Sequence, residues 1–129
     1  MKITEKPIQW RGSSLKDIKD EKIFSSDARK EAGHQLSQVQ IGLDPDDWRP
    51  FEEVGAGTKE IRINLDDGWY RVMYVAKFND AIYVLHCFKK KTRVTSKQDK
   101  DMAISRYKEV IAERIRKWLV KIKPRISPP

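Results

Sequence analysis

An α+β fold follows from three features of the sequence. Three strand-like segments succeed one another between residues 58 and 88, joined by turns too short for anything but hairpins. Amphipathic helical segments precede them. A long helical segment follows, and the apolar pattern never settles into the alternation of strand and helix that marks a parallel sheet. The predicted order is β-α-α-β-β-β-α. It describes a small antiparallel β-sheet with N-terminal helices packed on one face, the other face left for function, and a long C-terminal helix.

Each element has a local reason. Lys6 to Arg11 is a short strand around Ile8 and Trp10. Ser13 and Ser14 offer an N-cap, with Asp17 three residues after Ser14, and Leu15 and Ile18 make one amphipathic turn or short helix. Ser25 or Ser26 caps a second helix, in which Ala28, Ala32, Leu36 and Val39 recur at the spacing of a buried stripe. Gly42 suits its C-cap. Residues Asp44 to Pro50 read as a loop bounded by prolines.

Thr58 to Leu65 alternates, with Glu60, Arg62 and Asn64 on one side and Ile61, Ile63 and Leu65 on the other. Asp66-Asp67-Gly68 is a hairpin turn, because Asp-Gly readily supplies positive φ angles. Trp69 to Phe78 is the next strand, Asn79-Asp80 the next turn, and Ala81 to Phe88 the last strand. Ser96, with Asp99 three residues on, caps the final helix. That helix is expected to end at Pro124. One domain over residues 1–123 and a loose tail over 124–129 complete the prediction.

Composition narrows the function classes. Cys87 is the single cysteine, so neither an intramolecular disulfide nor a cysteine-based zinc site is available, and its apolar surroundings suggest a core position. With two histidines and no P-loop, metal hydrolase and nucleoside-triphosphate chemistry both lack support, and no cofactor is expected. No apolar run approaches the ~18 residues of a membrane span, and Met1 to Trp10 carries no apolar signal core. A cytoplasmic protein without membrane partners is the expectation.

Charge is the strongest functional signal. Residues 1–80 hold 13 Lys/Arg and 15 Asp/Glu, a net of −2; residues 81–129 hold 14 and 4, a net of +10. An anionic partner is therefore expected at the C-terminal half. The last strand runs into Lys89, Lys90 and Lys91, with Arg93 and Lys97 close behind. Phosphate is the natural target of such a cluster, since cations on nucleic acid release condensed counterions. Phe88 and His86 beside them could stack on a base or titrate near neutrality. Arg62 and Arg71 fall on consecutive strands of one hairpin, where opposed residues sit ~5 Å apart. They form either an anion cradle or surface ion pairs with Glu60, Asp66 or Asp67.

The run GAGTKEIRINLDDGWYRVMYVAKFNDAIYVLHCFKKKTRVTSKQDKDMAISRYKE resembles the RelE/ParE toxin superfamily of type II toxin–antitoxin systems. Within it, the similarity is to the HigB-type, phage-related branch. Glu60-Ile61-Arg62-Ile63 matches one family strand and Tyr70 to Tyr74 the next. Leu85 to Thr92 matches the strand end, and Thr95-Ser96-Lys97 the helix start. The resemblance covers roughly Ile8 to Glu109. It implies a RelE/ParE-like fold and a ribosome-dependent mRNA endonuclease (an mRNA interferase) neutralised by a helix-turn-helix antitoxin.

In that chemistry the 2′-hydroxyl of the RNA attacks the adjacent phosphate, with no metal and no small-molecule cofactor. By position, the resemblance puts Arg62 and Arg71 on the scissile phosphate. It makes Lys90 or Lys91 an added charge or general acid, and Glu60 or His86 the general base. Lys89, Arg93, Lys97, Phe88 and Tyr74 are the expected RNA contacts. Two other readings share the fold or the charge: a ParE-like gyrase inhibitor without catalysis, and a basic nucleic-acid-binding module. The chain departs from the family pattern in having three lysines rather than two, and in a longer, more basic last helix.

Overall fold

A computed structural model describes the backbone of residues 4–126 and the side chains of residues 4–122. The α+β class and the predicted order of elements hold, with one strand added. The elements are β1 (Ile8–Trp10), α1 (Ser14–Lys19), α2 (Ser26–Gln40), β2 (Trp48–Pro50), β3 (Thr58–Leu65), β4 (Gly68–Val75), β5 (Ile82–Lys90) and α3 (Lys97–Ile126). The sheet order is β1-β5-β4-β3-β2. β3, β4 and β5 form the expected antiparallel meander.

Four expectations need correction, the fourth being the open second face of the sheet, which α3 partly covers. β1 runs parallel to β5, so the sheet is mixed rather than antiparallel. The helical crossover through α1 and α2 and the strands after it bring the chain back to lie beside its own first strand, a geometry no local pattern encodes. Trp48–Pro50, expected as loop, is an edge strand paired with Lys59 to Ile61. Its proline sits at an edge, where a missing N–H is tolerated. And α3 runs past Pro124 to Ile126; residues 127–129 of the expected tail lie outside the described residues.

Two of the three predicted N-caps form: Ser13 stands at the start of α1 but makes no side-chain cap bond, its Oγ donating instead to Asp17 Oδ2 at 2.7 Å. Ser25 Oγ accepts from the Ala28 amide at 3.2 Å, and Ser96 Oγ from the Asp99 amide at 3.1 Å. α1, α2 and the turn between them bury Ile18, Phe24, Ala28, Ala32 and Leu36 on one face of the sheet, against Ile61, Ile63, Tyr70, Val72 and Val84. Each such large apolar side chain contributes on the order of 1.5–3 kcal/mol when fully buried.

The other face is not left bare. α3 lays Ala103 and Val110 over Met73, Val75, Tyr83 and Leu85, with Phe51 and Val54 closing one side. The helix covers only part of that face. The end nearest the β3–β4 hairpin stays open, and there the strands present Glu60, Arg62 and Arg71.

A β-bulge sets which residues share this end. Tyr74 pairs with Val84, yet the next residue back, Met73, pairs with His86, leaving Leu85 as the extra residue on β5. The side-chain parity of β5 reverses at that point. Strict alternation would have put Lys90 on the face of Ile82 and Val84, under α1 and α2. The bulge instead turns His86, Phe88 and Lys90 to the face of Arg71.

Candidate active site

The open end of the α3 face holds a concavity of about 320 Å³. β2 contributes Arg49, β3 Glu60 and Arg62, β4 Arg71 and β5 Lys90; the β5–α3 loop adds Arg93 and Thr95, and α3 adds Lys100. Cross-strand pairing fixes the rows. Arg62 lies directly opposite Arg71, and Arg71 opposite Phe88. Arg49 lies opposite Glu60. These strand positions are backbone-determined, so the sheet carries Arg49, Glu60, Arg62, Arg71 and Lys90, while the loop and α3 close the cleft with Arg93, Thr95 and Lys100.

Glu60 is the hub. It is fully buried, and its Oε1 accepts from Arg49 Nε at 3.0 Å and faces Arg71 Nε at 3.7 Å. Its second oxygen, Oε2, has no hydrogen-bond partner among the described residues. Arg71 is 3 % exposed, and its Nη1 donates to Asn64 Oδ1 and to the Tyr70 carbonyl, both at 2.9 Å. Arg71 Nε and Thr95 Oγ1 are likewise buried without a hydrogen bond among the described residues. A buried polar atom left unsatisfied costs roughly 1–3 kcal/mol. All three residues line the one cleft, so unmet hydrogen-bonding capacity among the described residues gathers beneath its surface.

The electrostatics agree. Six cationic side chains and two carboxylates, Glu53 and Glu60, line the cleft. Burial pushes the Arg71 guanidinium down from its ordinary value, opposed by Glu60. Lys90 is also lowered, first by burial and then by the neighbouring Arg71 charge. Its Nζ donates to the Arg93 carbonyl at 2.6 Å, which holds the loop against the strand end.

Of the residues singled out in the sequence, Glu60, Arg62, Arg71, Lys90 and Arg93 therefore meet in one cleft. Phe88 lies behind Arg71, buried against the core. His86 does not line this cleft. Its imidazole is buried and stacked on Phe88, with Nε2 at 2.7 Å from Asp99 Oδ1 and Nδ1 at 3.4 Å from Arg106 Nη1. Burial lowers its pKa, and Asp99 opposes that only in part.

Lys89 points to the opposite face of β5, its ammonium 5.4 Å from the Tyr70 ring centre. Lys91 is exposed on the rim of a second hollow, which His86 and Asp99 also line. Lys97 is exposed and pairs with Asp101 at 3.2 Å. Tyr74 is buried on the α1/α2 face, where burial pushes its phenol up.

Arg49, Thr95 and Lys100 join the cleft without having been picked from the sequence. Arg49 sits in a segment that reads as loop, and Thr95 and Lys100 precede and follow a helix cap. Only folding shows that they converge. Among the described residues no group of three His, Cys, Asp or Glu side chains is placed to hold a metal ion.

The fold and cleft define a small α+β protein whose mixed sheet carries a cationic pocket with a buried carboxylate at its floor. The chain belongs to the family described as Phage derived protein Gp49-like (DUF891), whose model matches residues 19–108. That family is associated with RelE-like toxins. The matched span contains every residue of the cleft. No curated protein matches the chain, and no solved structure matches it. Among the described residues no helix is long and apolar enough to cross a membrane.

Proposed function

We propose that the chain is the toxin of a type II toxin–antitoxin system, of the HigB-type branch, and that it acts as a ribosome-dependent mRNA endonuclease. The observation that supports this best is the Glu60 carboxylate in a cleft lined by Arg49, Arg62, Arg71 and Lys90, with one oxygen already on Arg49 and the other left without a partner among the described residues. A protein that only binds nucleic acid needs a spread of cations. A nuclease also needs a proton acceptor among them.

Once the bound RNA displaces the side chains that cover it, Glu60 Oε2 takes the proton from the 2′-hydroxyl. The 2′-oxygen bonds to the adjacent phosphorus, and the bond from phosphorus to the 5′-oxygen breaks. The products are a 2′,3′-cyclic phosphate and a 5′-hydroxyl end. Arg62 and Arg71 hold the phosphate and stabilise the charge that builds on its oxygens. Lys90, with its lowered pKa, gives the leaving 5′-oxygen its proton. His86, bonded to Asp99, orders the junction of β5 and α3 instead of serving as base. A helix-turn-helix antitoxin is the proposed partner, and translating mRNA in the cytoplasm the proposed target.

Inducing the chain alone in bacteria and mapping message ends by primer extension tests the proposal. Cleavage within reading frames, abolished by Glu60→Gln or Arg71→Ala, is expected. Intact message together with gyrase-dependent DNA breaks would instead establish the ParE-like gyrase inhibitor. Intact message and intact DNA, with nucleic-acid binding retained, would leave a basic binding module.

A further inference from the structure

The C-terminal half of α3 has no role in the cleft. Val110 is the last buried apolar side chain among the described residues of the helix. Arg114 makes the last polar ties to the body, with Nη1 donating to Asp80 Oδ1 and to the Tyr83 hydroxyl, each at 2.9 Å. Beyond it, among the described residues, no side-chain hydrogen bond or ion pair joins residues 115–122 to any other element; Lys117 pairs only with Glu113 of the same helix, at 2.9 Å. Yet this stretch is not polar. Ile115, Trp118, Leu119 and Val120 are 52 %, 58 %, 49 % and 71 % exposed. Clustered exposure of large apolar side chains marks an interaction surface.

Their spacing names the kind of partner. Ile111, Ile115, Trp118 and Ile122 are separated by four, three and four residues. That is the seam of a coiled coil, with Ile111 and Trp118 at d positions and Ile115 and Ile122 at a positions. At about 100° per residue, these four with Leu119 fall within one ~100° sector. The centre of the sector lies more than ~90° from Ala103 and Val110; Ile104, one heptad before Ile111 on the same line, still packs against the core, and the line becomes exposed from Ile115 on. A seam this narrow suits another helix better than the broad apolar face of a membrane-surface helix.

Charge then selects among helices. Lys121 occupies a g position beside this seam, and Arg114, already paired with Asp80, the g position one heptad earlier. Residues 114–125 hold six Lys/Arg and no Asp/Glu. The nearest acid, Glu113, lies on the far side of the helix and is held by Arg11 and Lys117. A second copy packed antiparallel would set these g cations against each other; packed parallel, it would offer them Leu119. Nucleic acid would satisfy the cations but leave Ile115 and Leu119 in water.

We propose that this face of α3 docks an amphipathic helix of a partner protein, with apolar a and d residues and carboxylates at the positions flanking them. The surface stands apart from the cleft, and the proposal holds whatever chemistry the cleft performs.

A labelled three-heptad peptide with Leu at a and d and Glu at e and g serves as the probe; its own charges keep it from self-pairing at neutral pH. A twin peptide carries Lys at e and g. Anisotropy with the full chain should show saturable binding of the Glu peptide, at least ~10-fold tighter than of the Lys peptide. Ile115→Glu with Trp118→Glu should abolish that binding while leaving the melting temperature in place, because both side chains are already exposed. Lys121→Glu should weaken the Glu peptide and strengthen the Lys peptide.

Equal binding of the two peptides overturns the proposal. So does concentration-dependent dimerisation of the chain, lost in the double variant, without peptide binding. Uptake onto phosphatidylglycerol vesicles or single-stranded RNA through these apolar residues, with no binding of either peptide, also overturns it.

Discussion

Arg62 and Arg71 stand directly opposite one another across β3 and β4, on one face of the sheet, and Arg71 is the buried member of the pair. Like charges at such a position destabilise a hairpin. Glu60, one step along the same face of β3, partly compensates Arg71. Among the described residues no carboxylate forms an ion pair with Arg62. The repulsion between the two guanidinium groups is a cost to the fold, and an anion bridging them, as the proposed phosphate would, relieves it.

Replacing the two arginines should therefore separate stability from activity. Arg62→Ala should leave stability unchanged within about 0.5 kcal/mol, or raise it, because repulsion is removed at a partly exposed site. Arg71→Ala should lower the cleavage rate ~100-fold or more, the scale of losing one donor to a developing oxyanion. Ribosome association should fall much less, since other cations share it. Arg71→Lys should recover only part of the rate, because an ammonium lacks the forked geometry. Single-turnover cleavage and ribosome pelleting on the same samples read both effects. Equal losses of rate and binding would make Arg71 a docking residue alone.

The pH dependence of cleavage should carry Lys90's signature. As general acid it works while protonated, so the rate should fall as pH rises through its lowered pKa. The alkaline limb then lies below the ~10.4 of a free lysine. Lys90→Arg, which stays protonated throughout, should remove that limb together with most of the rate. An unchanged alkaline limb in this variant would take Lys90 out of the proton-transfer role.

Much of this site was legible in the sequence because β3 obeys simple alternation. Glu60 and Arg62 fall on one face, and the short turn fixes Arg62 against Arg71. The limit was β5. Its bulge at Leu85 cannot be read from a run of apolar residues, yet it decides that Lys90 faces Arg71 while Lys89 faces Tyr70. It also turns His86 toward α3, where Asp99 meets it. Arg49 was hidden for another reason: a three-residue edge strand ending in proline has no local signature, and only pairing with β3 defines it. The parallel placement of β1 is non-local in the same sense. The helix caps, being local chemistry, were readable at Ser25 and Ser96.

His86 should make the fold acid-sensitive. Burial lowers its pKa in the native state, with Asp99 and Asp17 opposing and Arg106 reinforcing the shift. The unfolded chain therefore binds the proton more readily. Stability should fall as pH drops below about 6.5, the free imidazole value, and level off below the native pKa. Urea unfolding of wild type and His86→Gln across pH 4.5–7.5, windows set around that ~6.5 value, isolates the contribution. The variant should lose this part of the slope. An identical slope would mean that other groups, not His86, govern acid stability.

Shortening α3 separates its two halves. Ending the chain after Lys117 removes Trp118, Leu119 and Val120, all exposed, together with Lys121, Lys123 and Arg125. The buried residues of the helix, Ala103, Arg106 and Val110, remain, and so does the Arg106 bond to the Leu85 carbonyl at 2.9 Å. The melting temperature should stay within a few degrees, since surface changes away from special features usually shift stability by less than ~0.5 kcal/mol. RNA affinity should drop, and its dependence on salt should flatten by about 0.7 of a unit for each single-strand phosphate contact removed. Circular dichroism melts and salt-titrated binding measure the two independently. A truncated chain that fails to fold would show that Trp118 and Leu119 anchor the core. One that folds with an unchanged salt slope would show that the terminal cations do not touch RNA, leaving that half of the helix to its protein partner.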